Sequence, residues 1–163
     1  MYVYLGFDDT DTIDADQGTG KLARWFEREL PVECRLWGVV RQQLLVDDAI
    51  PYTSHNSSAC AVVQCPDGFR MDTLVAKAIS HVELHAIPGS DPGVCLCASH
   101  DTSLEQLIDF GLRCAGRIVT QKEALQSAKN VHLSGHGGTN DGIIGAAAAV
   151  GLTAYGWCGR FIE

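Results

Sequence analysis

Basic side chains are scarce in this sequence: 12 Lys and Arg stand against 20 Asp and Glu among 163 residues, a formal net charge of −8. Affinity for nucleic acid comes mainly from Lys and Arg meeting phosphates, so nucleic acid is an unlikely partner unless another chain supplies the grip. Long apolar runs are lacking too. The longest, Ile143 to Leu152, is rich in Ala, is interrupted by Gly145 and Gly151, and falls well short of the ~20 residues of a membrane span. A soluble chain with no membrane partner is expected. The N-terminus shows no basic leader and no small-residue cleavage site, which predicts a cytoplasmic location. No Cys-x-x-Cys pair occurs among the seven cysteines, and their odd number favours reduced thiols. Internal repeats, low-complexity tracts and clear linkers are absent. With 46% hydrophobic and 20% charged residues, the chain has the material for a real core, and disorder is excluded.

What is present reads as alternating strands and helices. Val3, Leu5 and Phe7 alternate with Tyr2, Tyr4 and Gly6, predicting an opening strand that ends in carboxylates. A helix is expected from Gly18 or Thr19 to Leu30, closed by Pro31. Strands are predicted over 34–45 and 59–64, with a helix from Met71 to Val82 between the second of them and the turn Gly89-Ser90-Asp91-Pro92-Gly93. The continuous apolar run Val94-Cys95-Leu96-Cys97-Ala98 fits a strand buried on both faces. Two short helices follow, one capped by Ser103 and one over 120–128. A glycine-rich loop, Ser134 to Gly142, then leads into an Ala-rich helix closed by Gly151. The pattern predicts an α/β or α+β fold, with mixed sheets covered by helices and any internal boundary near 67–70.

The strongest local signal is Gly6-Phe7-Asp8-Asp9-Thr10-Asp11-Thr12, with Asp14 and Asp16 beyond it: five carboxylates in nine positions. Such crowding at the end of a buried strand is costly unless cations or backbone donors offset it, and oxygen-rich strand ends suit Mg²⁺ bridging phosphates. A solvated acidic turn is the plainer alternative. The next helix opens with Gly18-Thr19-Gly20-Lys21, where free N–H groups can meet an anion. It is not a P-loop, since Ala15 stands where the first glycine belongs and Leu22 replaces the metal-binding hydroxyl. An aspartyl-phosphate phosphatase is not supported either, because no later lysine and acidic pair completes its site. The second glycine-rich loop offers backbone donors, with His136 as a candidate base or phosphate ligand. Pro51 to Ser58 is dense in hydrogen-bonding side chains and reads as a binding lip or a plain polar loop. Cys60 is read as a buried structural thiol rather than a nucleophile.

In order along the chain, these segments resemble the archaeal agmatidine synthetase family, which uses ATP to couple agmatine to the anticodon cytidine of an isoleucine tRNA. Gly6-Phe7-Asp8-Asp9-Thr10-Asp11-Thr12 is similar to that family's Gly-Ile-Asp-Asp-Thr-Asp-Ser. Ile50-Pro51-Tyr52-Thr53 with Asn56 and Ala59 is similar to its Ile-Pro-Tyr block. Ser90-Asp91-Pro92-Gly93 resembles its Asn-Pro-Gly turn, and Gly142-Ile143-Ile144-Gly145-Ala146 its Gly-Leu-Ile-Gly-Ala. The resemblance implies a kinase-like module and a ferredoxin-like portion over 1–163, without the family's OB fold and zinc ribbon. It implies ATP and Mg²⁺ as cofactors, with Asp8, Asp9 and Asp11 on the metal and Gly18, Gly20, Gly137, Gly138, Gly142 and Gly145 around the nucleotide. Thr19 falls near the transferred phosphate. The family's Cys-Thr-Thr stretch is replaced by Gly18-Thr19-Gly20-Lys21, and its arginine before Gly-Asn by the Ser54-His55 region.

The leading expectation is an ATP- and Mg²⁺-dependent phosphotransferase or ligase-like enzyme acting on a small molecule or on a substrate brought by a partner. Asp9, Thr19 and Lys21 are its candidate catalytic residues, and His55, Asn56 and Asp91 its candidate substrate-binding residues. Two alternatives stand beside it: a noncatalytic nucleotide- or metabolite-binding subunit, and a tRNA-modifying enzyme whose RNA grip comes from a separate chain. The acceptor, and any pairing of modules across a homo-oligomer, are left open.

Overall fold

The first strand is apolar on both of its faces because both are covered. In the computed structural model, which describes residues 1–12, 14, 16–49, 57–156 and 159–163, β1 (Tyr2–Asp8) lies inside a six-stranded sheet. Its companions are β2 (Arg35–Gln43), β3 (Ser57–Gln64), β4 (Gly93–Ala98), β5 (His132–Gly135) and β6 (Arg160–Ile162). The order is β5-β4-β1-β3-β2-β6, and every pairing is antiparallel. Helices α1 (Thr19–Trp25) and α2 (Met71–His85) cover one face, and α3 (Leu104–Gly116), α4 (Gln121–Ser127) and α5 (Gly142–Gly156) the other. The architecture is α+β. Residues 67–70 form the connection from β3 to α2, and strands from both sides of it share the one sheet.

Alternation along β1 sorts side chains between two cores. Val3, Leu5 and Phe7 join Leu22, Ala23 and Phe26 with Leu74, Ala78 and Val82 of α2. Tyr4 points the other way, to Cys60, Val62, Cys95 and Cys97 with Leu107 and Phe110 of α3 and the alanines of α5. Each such side chain removed from water contributes roughly 1.5–3 kcal/mol. The first helix is shorter than its apolar spacing predicts, giving way to a 3-10 turn over Phe26–Glu29. Pro31 forces its predecessor out of the helical region, and Leu30 is extended at φ −65°, ψ 140°. Ser103 does not cap α3 with its side chain, contrary to expectation; the Asp101 carboxylate accepts the Ser103 N–H at 2.8 Å instead. At α4, Thr120 and Glu123 form a reciprocal capping box.

Helix α5 is buried from Ala146 through Thr153, as expected of a helix that is apolar all round. It lies between the sheet and α3, and both approaches rely on glycine. A Cβ on Gly6 would overlap the Ala146 carbonyl, and one on Gly151 the Leu107 carbonyl. The cysteines among the described residues are free and buried. Burial pushes Cys60, Cys65, Cys97 and Cys114 up to about 12, so these thiols are inert packing groups. Cys34 and Cys65 approach each other at 2.9 Å between sulfurs. No helix among the described residues is long and apolar enough to cross a membrane.

The contact between β1 and α5 gives a direct test. Gly6→Ala must push α5 off the sheet and should destabilise the protein by about 3 kcal/mol, the upper end of ordinary overpacking, as read from the urea midpoint. An unchanged midpoint would show that α5 does not lie against β1 in this register.

Candidate functional site

One end of the sheet collects the chemistry. Gly135 of β5 is opposite Gly93 of β4, and Gly93 is opposite Asp8 of β1, so the turn before β4, the acidic loop after β1 and the glycine-rich loop after β5 emerge side by side. The backbone marks the exit from β1: Asp9 has φ 51°, a left-handed conformation that a non-glycine residue adopts at a cost.

The acidic side chains are packed against glycines. A Cβ on Gly145 would fall on the Asp8 carboxylate, and one on Gly138 on the carboxylate of Asp91. These two glycines therefore make room for the protein's own carboxylates. Asp91 is held at three points: its Oδ1 accepts the Thr139 N–H at 2.9 Å, its carbonyl accepts the Gly142 N–H at 2.9 Å, and its backbone donates to Asp9. Burial holds Asp8 well above the usual carboxylate range; a backbone donor at Asp9 opposes this, and the charges of Asp9 and Asp11 add to it. Asp9 is raised to about 6, by burial first and then by the charge of Asp91, with Asp11 and Asp141 contributing less. Asp11 is raised by burial as well. The carboxylates thus share a region of uncompensated negative potential. Among the described residues no three His, Cys, Asp or Glu side chains converge closely enough to hold a metal ion on their own.

Thr19 is buried at the start of α1, and its hydroxyl oxygen accepts the Thr10 hydroxyl at 3.0 Å. That bond ties α1 to the acidic loop. Gly18 precedes the helix, within contact of the Asp11 carboxylate, while Gly20 packs on Ile162 of β6. Lys21 is exposed and makes no ion pair with a described residue. His55 and Asn56 lie outside the described residues.

The glycine-rich loop is less open than its sequence suggests. The N–H groups of Gly142, Ile143 and Ile144 donate to the carbonyls of Asp91, Asn140 and Asp141, and that of Asn140 to Gly137. The first turn of α5 is thus satisfied largely from within. Gly137 and Gly138 keep positive φ values of 150° and 57°. Strand β5 begins before the loop, and it carries a chain the sequence reading missed. Ser134 Oγ lies 2.6 Å from His132 Nε2 and 2.7 Å from His136 Nε2, with Glu83 of α2 at 3.9 Å from His136 Nδ1. Burial lowers both histidines, favouring neutral rings. The signal was the spacing His132, Ser134, His136, which puts the first two on one face of β5 and the third just past its end.

Fold and rim together define an α+β domain, its sheet covered on both faces, with a buried carboxylate cluster braced by glycines at one sheet end. The sequence matches no family model and no curated protein sequence. Its structure is similar to that of apo TiaS, an agmatidine synthetase acting on an isoleucine tRNA, with a TM-score of 0.74 and 23% identity over 93% of this chain and 35% of that one. It is similar as well to TiaS in complex with that tRNA and ATP, at a TM-score of 0.76 and 24% identity over 93% and 36%. A TiaS complex with the tRNA, AMPCPP and agmatine gives 0.74 and 23% over the same shares, 93% and 36%. The chain spans about a third of the length of these structures, and they are of the family its motifs resemble. The expectation that nucleic acid is an unlikely partner finds no support here, since two of the matched structures contain tRNA.

The raised carboxylates yield a pH test on the ligand- and metal-free protein. Asp9 binds its proton more tightly when folded, so its contribution to stability is greatest below pH 4 and is lost as pH rises through about 6. Asp9→Asn should therefore raise the Tm at pH 8 and leave it nearly unchanged at pH 4, with a gain on the order of 1–2 kcal/mol after solvent screening. A lower Tm at pH 8 would mean that the ionised carboxylate stabilises the loop.

Proposed function

We infer that this chain is the ATP- and Mg²⁺-binding part of an enzyme that activates or joins groups on RNA, the RNA being held largely by a separate chain or module. The observation that carries the reading is the likeness, over 93% of this chain, to a synthetase solved with tRNA and ATP, together with the carboxylate-rich rim where β1 ends. The net charge of −8 agrees with an RNA grip that lies elsewhere.

The residues present fit the cation. Mg²⁺ keeps several waters and takes one or two carboxylates together with substrate phosphates, so a site that lacks three converging ligands yet concentrates unpaired negative potential suits it. Asp9 and Asp11 would be its carboxylates, and Asp8, held by Gly145, would fix the position of Asp9. Bound Mg²⁺ supplies charge neutralisation on the phosphates. Around it, Thr10 and Thr19 brace the loop, Lys21 is free to reach a phosphate oxygen, and the turn at Asp91 with Gly137 and Gly138 lines the nucleotide. Phosphoryl transfer requires positioning and electrostatic stabilisation above all. A small-molecule acceptor without RNA is the second reading, and the acidic charge balance favours it.

ATP with Mg²⁺ at one hundred times its Kd should stabilise the protein by ~2.7 kcal/mol, a Tm rise of roughly 5–11 °C for this size, and omission of Mg²⁺ should remove most of it. Asp9→Asn and Asp11→Asn should each slow ATP turnover about 100-fold or more. Unchanged turnover in both variants would exclude the mechanism, and binding without turnover under any acceptor would leave a noncatalytic subunit.

A further inference from the structure

The β6 edge of the same sheet carries an arrangement of the other sign. In the ladder between β2 and the edge strand β6, Arg41 stands directly opposite Arg160. Like charges directly across a ladder repel, and in a chain with eight more acidic than basic side chains a carboxylate neighbour would be the expected remedy. None is supplied. Arg24, Arg70, Arg113 and Arg117 have Glu or Asp partners; Arg41 and Arg160, like the separate Arg28 and Arg35, have no carboxylate within ion-pair distance among the described residues. The stretches outside the described residues contain no Asp or Glu at all.

The pair is also built rather than incidental. Arg41 is half-buried, and its Nε donates to Ser57 Oγ on β3 at 2.8 Å, which orients the guanidinium and leaves its terminal nitrogens without a hydrogen-bond partner among the described residues. Gly159 lets the last strand come close, since a Cβ there would overlap the Arg41 carbonyl and crowd Gln42. A cavity of about 560 Å³ adjoins this ladder, with Arg41, Gly159 and Arg160 in its lining; Gln42 and Leu152 line it from the α5 face, while alternation places the Arg41 and Arg160 side chains on the face of Val39 and Ala59. Guanidinium groups present forked donors that match carboxylate and phosphate oxygens. The neighbouring amides are engaged elsewhere: Gln42 donates to Thr153 at 3.1 Å and Gln43 Nε2 to the Leu44 carbonyl at 3.0 Å.

We propose that Arg41 and Arg160 form an oxyanion site, separate from the carboxylate rim, that takes the carboxylate or phosphate group of a small-molecule ligand. The anion would sit between two guanidiniums that otherwise repel. From β1 to β6 is three strand intervals, about 14 Å, so such a ligand lies within reach of the acidic rim without sharing its residues. The proposal does not depend on the nucleotide reading, because its probes require neither ATP nor Mg²⁺.

The test titrates the full chain at low ionic strength, without divalent cations, with inorganic pyrophosphate and separately with citrate, the two arms distinguishing phosphate from carboxylate recognition. At least one probe should bind saturably, lose 10-fold or more in affinity in Arg160→Gln and Arg41→Gln, and keep its affinity in Arg70→Gln, a surface arginine. Arg160 is exposed on an edge strand, so its variant carries the test even if Arg41→Gln, which loses the Ser57 bond, folds poorly. Binding of neither probe, or equal binding in Arg160→Gln, overturns the site. ATP affinity should be unchanged in Arg160→Gln; a parallel loss assigns the arginines to the nucleotide's phosphates and overturns the separate site. Arg160-dependent binding of an oligouridylate with no binding of either small anion overturns it in favour of a polynucleotide.

Discussion

The close approach of α5 to the middle of the sheet is the constraint on which the rest depends. Alanine and glycine give that helix a thin surface, so its backbone can settle onto β1 and β4 where larger side chains would hold it away. Two consequences follow from one contact. The core closes around Ala146–Ala149, and the start of α5 comes to the end of β1, where Gly145 receives the Asp8 carboxylate. The packing of the core and the geometry of the acidic rim are thus set by the same helix, and any change that lifts α5 disturbs both.

The rim holds more negative charge than its own donors offset. Burial raises Asp8, Asp9 and Asp11, and the charges of neighbouring carboxylates add to it at Asp8 and Asp9. The surrounding loops spend their backbone donors on one another: the turn at Asp91 is bonded to Thr139 and Gly142, and the first turn of α5 to Asp91, Asn140 and Asp141. The result is a bonded frame around carboxylates that have no ion-pair partner among the described residues. At the same end of the strands, toward the β6 edge, Arg41 and Arg160 hold the complementary surplus.

Several features were legible because a local rule decides them. The strand at Tyr2–Asp8 follows from alternation, the end of the first helix from Pro31, and the acidic loop from its density of carboxylates. The apolar character of α5 was plain, and so was the buried strand at Gly93–Ala98. Others depended on contacts the chain order does not show. Ser103 looked like a cap, but the Gln106 N–H donates to its carbonyl rather than its hydroxyl, and Asp101 holds the N–H of Ser103 itself. Gly138 and Gly145 looked like openings for a ligand, and carboxylates from distant segments fill them. The His132–Ser134–His136 chain is hidden in the sequence because β5 runs straight into a glycine-rich loop.

The sequence by itself determined the periodicities, the acidic motif and its resemblance to a synthetase family, since these rest on neighbours within a few residues. Only the tertiary structure decided which carboxylates meet, because Asp91 and Asp141 reach Asp9 through strand pairings and a helix crossing that bring together residues more than eighty positions apart. It alone decided that Arg41 faces Arg160, for that register depends on Gly159 admitting an edge strand to a ladder more than a hundred residues earlier in the chain. Local patterns select elements through backbone preference and burial; the strand order that sets one charge against another is chosen by how all the faces pack at once.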